Sequence, residues 1–123
     1  MAVESKVYLT LSQSTILSGL VGDRIYPLHR VQSGITPSIV FSHMSGDRVN
    51  DLSGYSHLHN PQYQVDIYTT SVDQLRTIGD IVLSVMGAST LFSAIALTDP
   101  SDGYEDDFAL YQRTLEFSIW DKD

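Results

Sequence analysis

Cysteine is absent from the 123 residues, so no disulfide framework can hold this chain together. Long apolar runs are absent as well, since no stretch approaches the roughly twenty residues that a helix needs to cross a bilayer. The first six residues lack an apolar segment behind a basic start, which predicts that they are not a signal peptide. These absences predict a chain of the cytosol that folds by burying a core.

Positive charge is scarce and scattered. Seven Lys and Arg residues stand singly among fifteen Asp and Glu residues, and the formal net charge is −8. Proteins that bind nucleic acids directly hold the phosphates with clustered bases, so direct nucleic-acid binding is not expected. The acids concentrate toward the C-terminus, with eight acids against two bases from Asp99 onward. Such a surface could maintain solubility, repel DNA passing nearby or meet a basic partner, and the sequence leaves these alternatives open.

Hydrophobic residues make up 42% of the chain, enough for a single domain over residues 1–123 with its own core. Near-helical spacing of apolar residues predicts a first helix from Ser5 to Leu20, stopped by Gly22. A second helix is predicted from Val72 to Met86, where apolar residues recur every three or four positions. Ser71 and Gln74 form a capping box at its start, and Gly87 ends it.

Alternating apolar residues predict four strands. The alternation is clearest around Ile39 and Phe41, from Tyr63 to Ile67, and from Leu115 to Ile119, with a shorter strand at Ile95 and Leu97. Residues Thr98 to Asp106 have the composition of a hairpin connection. The predicted fold class is therefore α+β, with a mainly antiparallel four-stranded sheet and two helices packed on one face.

A long polar stretch, Ser45 to Pro61, lies between the first two predicted strands. Two residues suffice to join antiparallel strands, so a connection of about fifteen residues suggests a role beyond topology. Apolar residues within this polar stretch favour a protein interface over a merely solvated loop. The predicted contact residues for a neighbouring subunit or tube are Asp47, Arg48, Asn50, Asp51, Leu52 and Tyr55.

Signals for chemistry are weak. His57 and His59, with His43 and Asp51, could ligate a metal, but an exposed pair without a firmly spaced third ligand is better explained as solvated. The acids around Gly103 suggest calcium, yet Ala109 occupies the position where an EF-hand needs glutamate, which favours a solvated acidic turn. No nucleophile motif or phosphate-binding glycine loop is found. The sequence therefore predicts neither an enzyme nor a cofactor or metal site.

Several short patterns, taken in order, carry a resemblance to a known family. They are Gly22 to Pro27, the proline-led strand from Pro37, Val49 to Gly54, Tyr63 to Tyr68 leading into an amphipathic helix, and Tyr111 to Trp120. In this order the chain resembles the tail-completion, or tail-terminator, proteins of long-tailed bacteriophages and prophages.

The resemblance implies a non-enzymatic protein of the virion tail, assembled in the host cytoplasm. It would form a homo-oligomeric ring, typically six-fold, on the end of the tail tube, stop polymerisation and offer a joint to the head connector. Its expected partners are further copies of itself, the tube protein and the connector, with no membrane. Acids that would line the channel are Asp102, Glu105, Asp106 and Asp107. The alternative is a small oligomeric α+β module of a bacterium that binds a ligand or peptide.

Overall fold

The computed structural model describes residues 2–27, 36–51, 54–97, 100–105 and 109–122. Within these residues the chain forms three helices and six strands. The helices are α1 (Val3–Ser12), α2 (Thr15–Val21) and α3 (Val72–Gly87). The strands are β1 (Ile25–Pro27), β2 (Ser38–Asp51), β3 (Gly54–Thr69), β4 (Ser93–Ala96), β5 (Ser101–Glu105) and β6 (Leu110–Lys122).

The strands form one mixed sheet in the order β1, β2, β3, β6, and the far edge of β6 pairs with both β4 and β5. β1 runs parallel to β2, and the other pairs are antiparallel. The central register places Phe41 opposite Val65 and Val65 opposite Leu115. The predicted four-stranded, mainly antiparallel sheet is thus corrected to six strands with one parallel pair.

The core lies between one face of this sheet and the helices. Phe41, Val65 and Leu115 belong to this core, and residues of all three helices complete the same cluster. Val7 and Leu11 come from α1, Leu17 and Val21 from α2, and Ile78 and Val82 from α3. Burying such side chains contributes roughly 1.5–3 kcal/mol each, so the helical layer is held mainly by this apolar contact. No helix within the described ranges is long and apolar enough to span a membrane.

The predicted helix from Val72 to Met86 is confirmed as α3. The Ser71 hydroxyl accepts a hydrogen bond from the backbone N–H of Gln74 at 3.4 Å, as an N-cap does. Leu75, Ile78, Val82 and Met86 are buried at the predicted three- and four-residue steps. Here local propensity, capping and packing agree, which is why the prediction succeeds.

The single helix predicted from Ser5 to Leu20 is wrong, because the chain breaks into α1 and α2. Ser14 leaves the helical conformation and its hydroxyl accepts from the Leu17 amide at 3.2 Å, which starts α2. The break lets α2 bury Leu17 and Val21 against the same core that α1 reaches with Val7 and Leu11. A serine is better satisfied as an N-cap than inside a helix, so it marks the break.

Two further strands lie where the sequence predicted connections. β1 occupies the predicted extended connector, and Ile25 pairs with Ile39 of β2. β5 lies inside the stretch predicted as a turn, from Thr98 to Asp106. Both strands are short, and each is fixed by its neighbour in the sheet, so neither shows the long alternation by which strands are recognised in a sequence.

Candidate assembly surfaces

The predicted loop from Ser45 to Pro61 is a paired β hairpin, so the long-connection interpretation is wrong. β2 and β3 remain in antiparallel register from Ser38 opposite Tyr68 out to Asp51 opposite Gly54. Only residues 52 and 53 separate the two strands. We refer to residues 45–61 as the hairpin arm. Its strand pairing relies on backbone hydrogen bonds, which polar residues allow as well as apolar ones.

The outer part of the hairpin arm extends beyond the neighbouring strands of the sheet. β1 pairs with β2 only as far as Phe41, and the last β3 to β6 pair joins Leu58 to Lys122. At about 3.3 Å per residue, β2 extends roughly 30 Å from Ser42 to Asp51. Over this length β2 has no partner strand on its outer edge among the described residues. Such an open edge offers backbone donors and acceptors to another chain.

The predicted contact residues fall along this arm at successive register positions. Asp47 lies opposite Asn60 and Arg48 opposite His59, and Asn50 lies opposite Tyr55 near the tip. Asp51 lies opposite Gly54, while Leu52 is outside the described residues. Apart from Leu52, the predicted contact residues therefore lie on one hairpin, as strand rather than loop.

The histidines predicted as a possible metal site are spread along the hairpin. His43 lies opposite Tyr63, and their ring centroids are 5.3 Å apart. His59 lies opposite Arg48 farther out. No group of three potential ligands suited to a metal is found within the described parts of the chain.

Among the acids proposed for a channel, Asp102 is the one whose side chain the structure describes. Its carboxylate accepts two hydrogen bonds from Arg113, at 2.7 Å from Nε and 2.9 Å from Nη2. This pairing lowers the pKa of Asp102, with burial opposing the shift. Glu105 ends β5, and Asp106 and Asp107 lie outside the described residues.

Gly79 of α3 makes room for the Arg113 side chain. A Cβ atom at Gly79 would lie 2.8 Å from Cδ of Arg113 and 3.0 Å from its Nη1. Glycine in a helix interior costs stability, about 1 kcal/mol relative to alanine, so its presence here has a packing reason. The pairing of Arg113 with Asp102 then holds the exposed strand β5 to the sheet, together with the Tyr104 and Tyr111 rings at 5.0 Å.

We expect Asp102→Asn to lower the free energy of unfolding by about 0.5 kcal/mol at pH 7, because the carboxylate is 48% exposed and water screens the pair. A carboxyl group with a lowered pKa stabilises the fold above its unfolded pKa, and that stability is lost as the pH falls through the folded pKa. The difference from wild type should therefore shrink below about pH 4. Urea unfolding at pH 7 and at acidic pH measures this difference in the free energy of unfolding. Asp23→Asn, at an exposed carboxylate, is the control. An equal difference at both pH values would contradict this.

The sheet face away from the helices holds residues that the sequence did not single out. Asp66 is 7% exposed there, and its carboxylate accepts from Thr114 Oγ1 at 2.7 Å and from Gln64 Nε2 at 2.9 Å. Toward the β4 edge, three large apolar side chains remain accessible: Ile95, Leu97 and Trp120. We call these three residues the edge patch. Their exposure arises from the pairing of β4 with β6, which the sequence alone does not reveal.

The chain thus combines a long β hairpin with a sheet that the helices cover on one face. The sequence model of the family described as tail completion protein gp17 matches residues 5–121. The chain belongs to the tail completion protein gp17 family. The matched range includes all of the strands except the last residue of β6, and all of the helices except the first two residues of α1. The role of the chain is therefore phage tail completion, as a structural component.

Comparison with solved structures supports the fold. A chain described as "Virion of native gene transfer agent (GTA) particle" is similar at 14% identity, with a TM-score of 0.71. The similarity covers 99% of this chain and 96% of that chain. At this identity the likeness shows a shared fold. No curated protein matches the sequence. The tail-completion family predicted from the sequence is confirmed by the family match.

Proposed function

We propose that this gp17-family chain is a tail terminator. It forms a ring, six-fold in our proposal, on the end of the completed tail tube, where it stops further polymerisation and offers a surface to the head connector. It assembles in the cytoplasm of the host bacterium and catalyses no reaction. Its partners are other copies of itself, the tube protein and the connector protein.

The hairpin arm is the observation that carries this proposal. A ring closes when each subunit offers two different surfaces that meet on its neighbours, and its two axial ends contact different partners. An arm that extends beyond the supported sheet provides a contact surface without disturbing the core between the sheet and the helices. The open outer edge of β2 suits contact with a neighbouring subunit or with the tube through backbone hydrogen bonds.

The acids of the segment after β4 are proposed to face the channel, where they would repel passing DNA. Asp102 contributes least to this repulsion, because Arg113 compensates its charge. The family match favours the tail role over a bacterial ligand-binding module, and the net charge of −8 favours repulsion of DNA over direct binding.

Electron microscopy of the purified protein, alone and mixed with purified tail tubes, tests the ring. We expect closed rings in solution at high concentration or one ring capping each tube end, with six-fold symmetry in averaged end views. Subunits that remain single under both conditions would contradict the proposal.

A further inference from the structure

The edge strands β1 and β4 carry no charge, whereas β5, which shares the far edge of β6 with β4, carries Asp102 and Glu105. The helical layer carries exposed carboxylates on α3, those of Asp73 and Asp80. By contrast, β4 with the following Leu97 and β1 contain no charged residue. Two copies of a chain with a net charge of −8 repel each other, so they approach most favourably through surfaces that carry few acids.

One of these edges presents the edge patch. Ile95 is 59% exposed, Leu97 43% and Trp120 39%. The register of β4 with β6 sets Ile95 opposite Ser118 and Ser93 opposite Trp120, so the patch faces away from the helices, while Ala94 packs against the core. Three large apolar side chains exposed at or beside an uncharged edge strand are typical of the centre of a protein contact.

The opposite edge presents a groove between α1 and the end of β1. Its volume is about 400 Å³, and it is lined by Glu4, Ser5, Tyr8, Leu9, Pro27 and Phe41. We call this cavity the edge groove. The rings of Tyr8 and Phe41 lie 6.4 Å apart, and Tyr8 remains 41% exposed. The surface of the groove is mostly apolar, with a single carboxylate, that of Glu4, in its lining.

We propose that the edge patch of one copy docks in the edge groove of the next copy. The inference rests on the proposed ring and identifies the contact between its subunits. Because the sheet order puts β1 at one edge and β4 at the other, each copy carries one patch and one groove on opposite sides. Contacts of this kind are head to tail, and they close into a ring when the rotation between neighbours permits.

The absence of cysteine allows a direct test of this contact by cross-linking. Tyr8→Cys places a thiol in the edge groove and Leu97→Cys places one in the edge patch. Both positions are exposed, so the variants should fold, which circular dichroism and the melting temperature check. The two purified variants are mixed under mild oxidation, and the disulfide-linked products are measured by intact mass.

We expect the mixture of the Tyr8→Cys and Leu97→Cys chains to give at least ten times more heterodimer than a mixture of Tyr8→Cys with Ile16→Cys. Ile16 is a matched control because it is 66% exposed, more than Leu97, and lies on α2 away from the edge patch. A yield equal to that of the control overturns the proposed contact. So does a predominance of Leu97→Cys homodimers, which would indicate that patch meets patch.

The chain that carries both cysteines distinguishes this contact from the ring itself. A series of cross-linked oligomers that ends at one closed ring supports both the contact and the ring. A series of cross-linked oligomers of ever-increasing size, without a closed product, supports the contact and overturns the ring. Rings of the wild-type protein seen by electron microscopy, without a cross-link between these positions, overturn the contact and leave the ring intact.

Discussion

Asp121→Ala should lower the free energy of unfolding by about 3 kcal/mol. The Asp121 carboxylate lies 2.6 Å from Lys6 Nζ, and the two side chains are 4% and 16% exposed. This pair joins α1 to the end of β6. Removing the carboxylate leaves an ammonium group largely shielded from water without its charged partner, which costs more than the pair itself contributes. Urea unfolding at pH 7, followed by circular dichroism, measures the change.

The double replacement Lys6→Met with Asp121→Leu is the control for this prediction. It removes both charges and fills a similar volume, so most of the lost stability should return. If the double variant is as unstable as Asp121→Ala, side-chain shape at this position matters more than the buried charge, and the electrostatic explanation is wrong.

Shortening the hairpin arm should abolish tail completion while leaving the fold intact. Val49 and Leu58 are paired in register, and Leu58 is the outermost residue of β3 that pairs with β6, so residues 50–57 can be replaced by a two-residue Asn-Gly turn. Asn60 is kept because its side-chain amide donates to Ser118 Oγ at 2.7 Å and to the Ile119 carbonyl oxygen at 2.8 Å. The helical core lies outside the excised segment, so the melting temperature should change by only a few degrees.

Infectivity measures the functional effect. A phage that carries the shortened chain should lose infectious titre by several orders of magnitude, because the contacts made by the arm are missing. The matched control replaces Thr77, an exposed residue of α3, with alanine, and should give a normal titre. Normal titre with the shortened arm would show that the arm is dispensable for assembly. A large fall in melting temperature would show that the arm supports the fold.

Those parts of the fold that local patterns determine could be predicted from the sequence. α3 combines a regular apolar stripe with the Ser71 cap, and the alternation of Tyr63, Val65 and Ile67 follows the buried face of β3. In both places a single packed face imposes a period on the sequence. The α+β class and the placement of helices on one face follow from these elements.

What tertiary contacts determine could not be predicted. The hairpin arm is paired through its backbone, and its mostly polar residues show no regular apolar alternation, so in the sequence they look like a polar loop. β5 is held by Arg113 and Asp102, which are 11 residues apart and meet only in the folded sheet. Gly79 was the available signal, because a glycine within a strong helix indicates close approach by another group. The edge patch was missed because Ile95 and Leu97 were predicted simply as strand residues.

The length of tails assembled without this chain tests the central claim most directly. Particles from a phage that lacks the gene are examined by electron microscopy, and their tubes are compared in length with those of the parent. The tail-terminator role predicts overlong tubes or tails that are not joined to heads. Normal infectious particles with tubes of parental length would contradict it.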